Sequence, residues 1–209
     1  QHSQSLHAWF AHVPGLKVVM PATPHDAKGL LIASIEDDNP VIFIEPRWLH
    51  NIAGEVPEPM YRVPLGRARV AREGRDLTIV ALSSMVIEAL RAAEHLQDLG
   101  IEAEVVDVRT LRPLDADTII ASAQKTGRLL VAEMGWKTVG FGAEIVALVA
   151  EAAGDCLKRR PVRVGLADCP VPTAAALSRL CYPHAGDLVR QAARLLDVDP
   201  AAAMDRGEL

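Results

Sequence analysis

The first twelve residues, QHSQSLHAWFAH, carry three of the seven histidines, His2, His7 and His12, spaced five apart. Imidazoles either ligate metals or move protons near neutral pH. A helical metal site needs rings three or four positions apart, so that they share a face. A spacing of five does not provide this, and no zinc site is expected. His2 stands among amides and hydroxyls, ahead of an aromatic-apolar run and the strand-like LKVVM. It belongs either to a frayed terminus or to an active site in whose middle the chain begins. The cysteines Cys156, Cys169 and Cys181 are too widely spaced for a CxxC clip and odd in number, so they read as reduced thiols. Glycines cluster in GWKTVGFGAEI (135–145) without the Lys-Ser/Thr of a phosphate loop, and read as a loop entering a closely packed helix. There is no GxSxG, HExxH or dinucleotide fingerprint.

The elements that must position these groups alternate. LKVVM (16–20) reads as a buried strand. Thr23-Pro24 supplies an N-cap and a first-turn proline for a helix with Ala27, Leu30, Leu31, Ser34 and Ile35 on one face. That helix ends before Asn39-Pro40, and VIFIE (41–45) is a second strand, so the three form a βαβ unit. Prolines 46, 57, 59 and 64 break regular structure, and residues 47–64 read as a linker. Beyond it, RARVAREG gives an edge strand and LTIVAL a buried one. Ser83-Ser84 cap a helix that turns Val86, Leu90, Ala93 and Leu96 inward. Strands at 103–108, 128–134 and in PVRVGL alternate with helices over LDADTIIASAQKTG, 142–153 and 185–196. The expected architecture is α/β, residues 1–46 forming a partial first domain and 65–198 a three-layer α/β/α domain, with 199–209 as a flexible tail.

Composition removes several classes. A formal net charge of −5 with no Lys/Arg block gives no nucleic-acid signature. Every long apolar run is broken by Glu, Asp, Arg or Gly, so no membrane span is expected. No secretory signal is visible, which points to the cytoplasm of a bacterial-like cell or an organelle matrix.

Order and wording carry more than spacing. QHSQS…AWFAHVPGLKVVMPATPHDAKGLLIASIEDDNPVIFIEP, EVPEPMYRVPLGRARVAREGRDLTIV, VVDVRTLRPLDADTI and GRLLVAEMGWKTVGFGAEI follow one another without large gaps. Together they resemble the beta subunit of the thiamine-diphosphate-dependent 2-oxo acid dehydrogenases, the pyruvate, branched-chain and acetoin decarboxylase components. The resemblance implies the later part of a transketolase-like pyrimidine-binding domain followed by a transketolase C-terminal domain. An upstream portion would carry the glutamate that activates the cofactor. It implies oxidative decarboxylation of a 2-oxo acid and acyl transfer to lipoyl groups. Thiamine diphosphate would be shared with an alpha subunit that holds Mg²⁺.

On the same resemblance His2 is the active-site histidine that transfers protons, and SIEDDNP, through Ser34, Ile35, Asp37 and Asn39, is a potassium site at a helix C-terminus. From spacing alone SIEDDNP is an ordinary helix end with solvated acids. Arg109 and Arg112 match a signature at a strand end, read here as structural ion pairs. Glu133 and the glycines after it match a beta–beta contact. The final third implies docking of the acyltransferase's subunit-binding and lipoyl domains, with Asp187, Asp197 and Asp199 as candidate acids. His50 and Thr173 depart from the family's usual aromatics. Two other readings stay open: a non-catalytic docking module of the same fold, and a transketolase or deoxyxylulose-phosphate synthase relative.

Overall fold

The structure is a computed structural model and describes residues 3–199; His2 lies outside the described residues. In chain order the elements are α1 (His7–His12), β1 (Lys17–Val19), α2 (Pro24–Ile35), β2 (Val41–Phe43), a 3-10 turn (Arg47–Asn51), β3 (Arg69–Arg72), β4 (Leu77–Ala81), α3 (Ser84–Asp98), β5 (Ala103–Asp107), β6 (Thr110–Arg112), α4 (Ala116–Thr126), β7 (Leu129–Trp136), α5 (Phe141–Ala153), a second 3-10 turn (Gly154–Cys156), β8 (Val162–Leu166), α6 (Ala175–Ser178) and α7 (Ala185–Leu195).

The larger sheet has the order β3-β5-β4-β7-β8. Its inner strands are parallel and β3 closes one edge antiparallel. Strand alternation sorts the core into two layers. Leu77, Ile79 and Ala81 of β4, with Leu130 and Ala132 of β7, face α3 and α7. Val80, Leu129 and Val131 face the other way, onto Ile119 and Ala123 of α4 and Ile145 and Val149 of α5. Every residue of β4 and β5 is buried, as parallel strands covered on both faces must be.

The smaller sheet has the order β2-β1-β6. β1 and β2 pair in parallel around α2, the expected βαβ unit. Its third strand comes from the second unit: β6 runs antiparallel to β1, pairing Val18 with Arg112 and Val19 with Thr110. The two halves therefore share a sheet, which the sequence did not suggest. β6, α1 and α6 are too short for their periodicity to be read.

Two local expectations are corrected. α2 begins as expected, Thr23 Oγ1 accepting from the Asp26 amide at 3.1 Å. Its buried residues, however, are Asp26, Gly29 and Leu30, while Leu31 and Ile35 are exposed, Ile35 at 74%. The strap 61–63 decides this face. A Cβ on Gly29 would stand 2.6 Å from Val63 Cγ2, and the Val63 amide donates to the Gly29 carbonyl at 3.1 Å. The segment 52–65 lacks helix and strand, yet it is tied to α2: Lys28 Nζ donates to the Glu58 and Pro59 carbonyls and Tyr61 Oη to that of His25. At α3, Ser83 occupies the N-cap position at φ +50° without capping. Its hydroxyl donates instead to the Pro21 carbonyl at 3.0 Å, joining the two units.

α4 shows an orthodox cap that also reaches outward. Asp115 accepts from the Thr118 amide at 3.2 Å and from the Ala68 amide at 2.9 Å, and Gly127 ends the helix at φ +72°. Asp115→Ala is expected to cost about 2 kcal/mol, a lost cap plus one amide left unpaired. The denaturation midpoint checks this; an unchanged midpoint would assign no role to the cap.

Candidate active-site cleft

A cleft of about 620 Å³ lies where the two units meet. Met20 follows β1, Ile44 follows β2, Ser84 opens the helix after β4, and Met134 belongs to β7. The cleft thus opens at the carboxyl ends of parallel strands, where ligand sites of open α/β sheets form, and its volume suits a small-molecule ligand. Ser3, Gln4, Ser5 and Leu6 make one lip, and Glu45–Trp48 with Tyr182 the other. Met20, Ile44, Phe10 and Met134 give it an apolar floor, with hydroxyls, Glu45 and Arg47 around it.

The lip at 3–6 is held at two points. Tyr182 Oη donates to the Ser3 carbonyl at 3.3 Å, and the Tyr182 ring meets Trp48 edge-on at 4.7 Å. His7, the first residue of α1, donates from Nε2 to Glu133 Oε2 at 2.8 Å, with the pair 1% and 2% exposed. Glu133 points to the α5 layer by the alternation of β7. It also accepts from the Phe141 amide at 3.2 Å and the Gly142 amide at 2.8 Å, the open N–H groups at the start of α5. A carboxylate suits that end of a helix.

The glycine cluster is explained by this carboxylate. A Cβ at Gly140 would lie 2.6 Å from Glu133 Oε1, at Gly142 2.8 Å from the same atom, and at Gly135 3.0 Å from both Glu133 Oε2 and the His7 ring. The loop wraps Glu133 too closely for side chains. Sequence reasoning took His7 only as a metal candidate and Glu133 as part of an interface. The pair is 126 positions apart, and the one available signal was the crowding of glycines after a strand-end glutamate.

Arg109 and Arg112 join elements within the chain. Arg109 Nη1 donates to Asp26 Oδ1 at 3.2 Å, while its other nitrogens reach the Arg67 and Ala68 carbonyls. Arg112 Nη1 donates to the Ala11 carbonyl at 3.1 Å. Arg69 stands between the buried carboxylates of Asp26 and Asp107, at 3.9 and 3.5 Å. Burial pushes the Asp107 carboxyl up to about 7, despite the pull of Arg69 and with a push from Asp26.

The four residues read as a cation site gather at the end of α2, where the side chains of Ser34, Asp37 and Asn39 are engaged and that of Ile35 is exposed. Ser34 Oγ donates to the Leu30 carbonyl at 2.7 Å, and Asp37 accepts from both nitrogens of Asn39 at 2.9 Å and pairs with Lys17. The Lys17 and Asn39 bonds hold Asp37 down to about 2. Among the described residues no group of three or more His, Cys, Asp or Glu could hold a metal ion. Asp187 closes the capping box of α7 and pairs with Arg190, and Asp197 pairs with Arg159.

Comparison with known proteins agrees with this architecture. The chain is 46% identical over 198 residues to the mitochondrial pyruvate dehydrogenase E1 component subunit beta-2 of Oryza sativa, covering 93% of this chain and 53% of that protein. It is 46% identical over 189 residues to the pyruvate dehydrogenase E1 component subunit beta of Rickettsia felis, covering 90% and 58%. It is 45% identical over 196 residues to the acetoin:2,6-dichlorophenolindophenol oxidoreductase subunit beta of Cupriavidus necator, covering 94% and 58%. The chain thus spans little more than half the length of these curated relatives. Among solved structures, a split-gene transketolase in an inactive beta4 tetramer superposes with a TM-score of 0.77 at 31% identity, over 92% of this chain and 61% of that one. Residues 1–51 match the transketolase pyrimidine-binding domain and residues 66–187 the transketolase C-terminal domain. With two abutting α/β units, a cleft at their strand ends and the match over 66–187, the chain belongs to the transketolase family.

Proposed function

We propose that the chain is the later portion of the beta subunit of a 2-oxo acid dehydrogenase's decarboxylating component, working with an alpha subunit. The observation that carries this is the cleft itself: Ser3, the residue after His2, lines a cavity at the strand ends of both units, in a chain 46% identical to pyruvate dehydrogenase beta subunits. The cleft's apolar floor and polar lips fit one wall of a site for thiamine diphosphate. That group, when bound, supplies the electron sink that lets a 2-oxo acid lose CO₂.

This chain's residues do the rest. His2 transfers a proton at the substrate oxygen, the work of a group titrating near neutrality. The backbone at 3–6 stays in register because Tyr182 and the His7–Glu133 pair hold it at both ends. Met20, Ile44 and Met134 keep water from the cavity floor. Mg²⁺ and the diphosphate fall to the alpha subunit. Potassium at Ser34, Ile35, Asp37 and Asn39 would rest on main-chain carbonyls at the end of α2, since Ser34 and Asp37 are already engaged. The lipoyl and subunit-binding domains of the acyltransferase complete the partner set. The division at 47–64 belongs to the same proposal; the gap between the two family matches, residues 52–65, overlaps most of it. Mitochondrial and bacterial relatives support a matrix or cytoplasmic setting, and no described helix is long and apolar enough to cross a membrane.

Co-expression with an alpha subunit and the upstream beta portion tests this. CO₂ release from a 2-oxo acid is expected, with His2→Ala lowering kcat at least 100-fold. No decarboxylation of pyruvate or of branched-chain 2-oxo acids by the assembled complex would overturn it. The inactive beta4 tetramer of the split transketolase favours a second reading, an assembly module without activity. Binding of the acyltransferase's subunit-binding domain by an assembled but inactive complex would select that reading.

A further inference from the structure

Among the described residues that line the cleft, Arg47 is the one cation and Glu45 the one anion. Glu45 is already engaged, its Oε2 lying 3.7 Å from His50 Nε2. The Arg47 guanidinium makes no hydrogen bond or ion pair among the described residues. Arg109 and Arg112, by contrast, are bonded to Asp26 and to the Ala11 carbonyl. Although its head is free, Arg47 is held through its neighbours. It opens the 3-10 turn Arg47–Asn51, in which the Leu49 amide donates to the Pro46 carbonyl at 3.0 Å. The next residue, Trp48, packs edge-on against Tyr182, which bonds the Ser3 carbonyl beside His2. The turn that carries the cation is thus tied to the lip that carries the proton-transfer residue.

We propose that Arg47 is a substrate-binding residue that takes the carboxylate of the 2-oxo acid in a two-point ion pair; this rests on the reading of the chain as part of a decarboxylating component. The planar fork of a guanidinium matches the two oxygens of a carboxylate. The apolar floor of Phe10, Met20, Ile44 and Met134 lowers the local polarity and strengthens the attraction. The same floor receives the alkyl end of the acid. The ion pair exists in the bound acid and ends when CO₂ leaves. Arg47 therefore contributes to binding and not to the rate of the bound complex, so that KM and not kcat reports it.

The test uses this chain assembled with the alpha subunit and the upstream beta portion, with pyruvate or 2-oxoisovalerate as substrate. Arg47→Gln is expected to raise KM about 10–100-fold with kcat within about 2-fold of wild type. Arg47→Lys keeps the charge without the fork and should fall between. The methyl ester of the same acid carries no carboxylate, so its inhibition constant should be equal in wild type and Arg47→Gln. The concentration of thiamine diphosphate for half-activation should also be unchanged. Arg47 is exposed, and an equal denaturation midpoint would verify that its replacement leaves the fold intact. An unchanged KM in Arg47→Gln would overturn the proposal and leave the decarboxylating reading standing. So would a rise in KM matched by the ester, or a raised requirement for thiamine diphosphate in its place. If the wild-type assembly decarboxylates nothing, calorimetric titration with the same two acids separates the claims. Binding lost in Arg47→Gln would keep the carboxylate site while the reading falls; equal binding, or none, would overturn both.

Discussion

Glu133→Ala is expected to lower the unfolding free energy by about 4 kcal/mol, because three buried donors lose one acceptor. They are the Phe141 and Gly142 amides and His7 Nε2, each of which costs about 1–3 kcal/mol when left unpaired in the interior. Against a usual domain stability of roughly 5–15 kcal/mol, this is a large fraction. Glu133→Gln should fall between wild type and Ala: one amide keeps an oxygen acceptor, while the new NH₂ confronts a donor. Denaturant midpoints of the three chains decide the matter, and a loss below about 1 kcal/mol for Ala would show that the pair carries no structural weight. In an assembled enzyme the same change should also loosen the lip at 3–6. A fall in kcat beyond the loss of folded protein is therefore expected.

The second large effect is a dependence on pH. Asp107 is fully buried, and its carboxyl is raised from 3.8 to about 7 chiefly by that burial. The folded state therefore holds this proton over a range in which the unfolded chain has released it. Stability from this group is complete below the unfolded value and is lost as pH rises toward 7, at about 1.4 kcal/mol per pH unit. From pH 4.5 to 7 the loss is roughly 3 kcal/mol. Asp37, held down to about 2, acts in the opposite sense, but its contribution changes only below about pH 4 and leaves that window clear. Asp107→Asn removes the titration while keeping an oxygen for the Arg109 amide, which Asp107 accepts at 3.2 Å. The stability difference between wild type and variant should therefore slope across pH 4.5–7. Parallel curves over that range would refute the assignment.

The location of this carboxylate matters for assembly as well as stability. Asp26 stands in the first turn of α2, while Arg69, Asp107 and Arg109 belong to the second unit. With the Ser83–Pro21 bond and the β1–β6 pairing, they make the join between units polar and specific as well as apolar. Arg109 adopts φ +56° there, and its carbonyl accepts from the Met20 amide at 2.8 Å. The irregular backbone thus bridges directly to the residue that floors the cleft.

The sequence by itself determined the alternation of strands and helices, the cap at Thr23 and the family, because these depend on near neighbours and on word order along the chain. It also predicted that the glycines of 135–145 serve close packing, though not around which group. Only the tertiary structure decided which face of α2 is buried, since the strap 61–63 and not helical periodicity covers Gly29. It alone brought His7 to Glu133, Asp26 to Arg109, and a strand of the second unit into the first unit's sheet. Such contacts join residues distant along the chain, and their geometry is fixed by how sheets and helices stack. Spacing along the chain reports only what one turn or one pleat can reach.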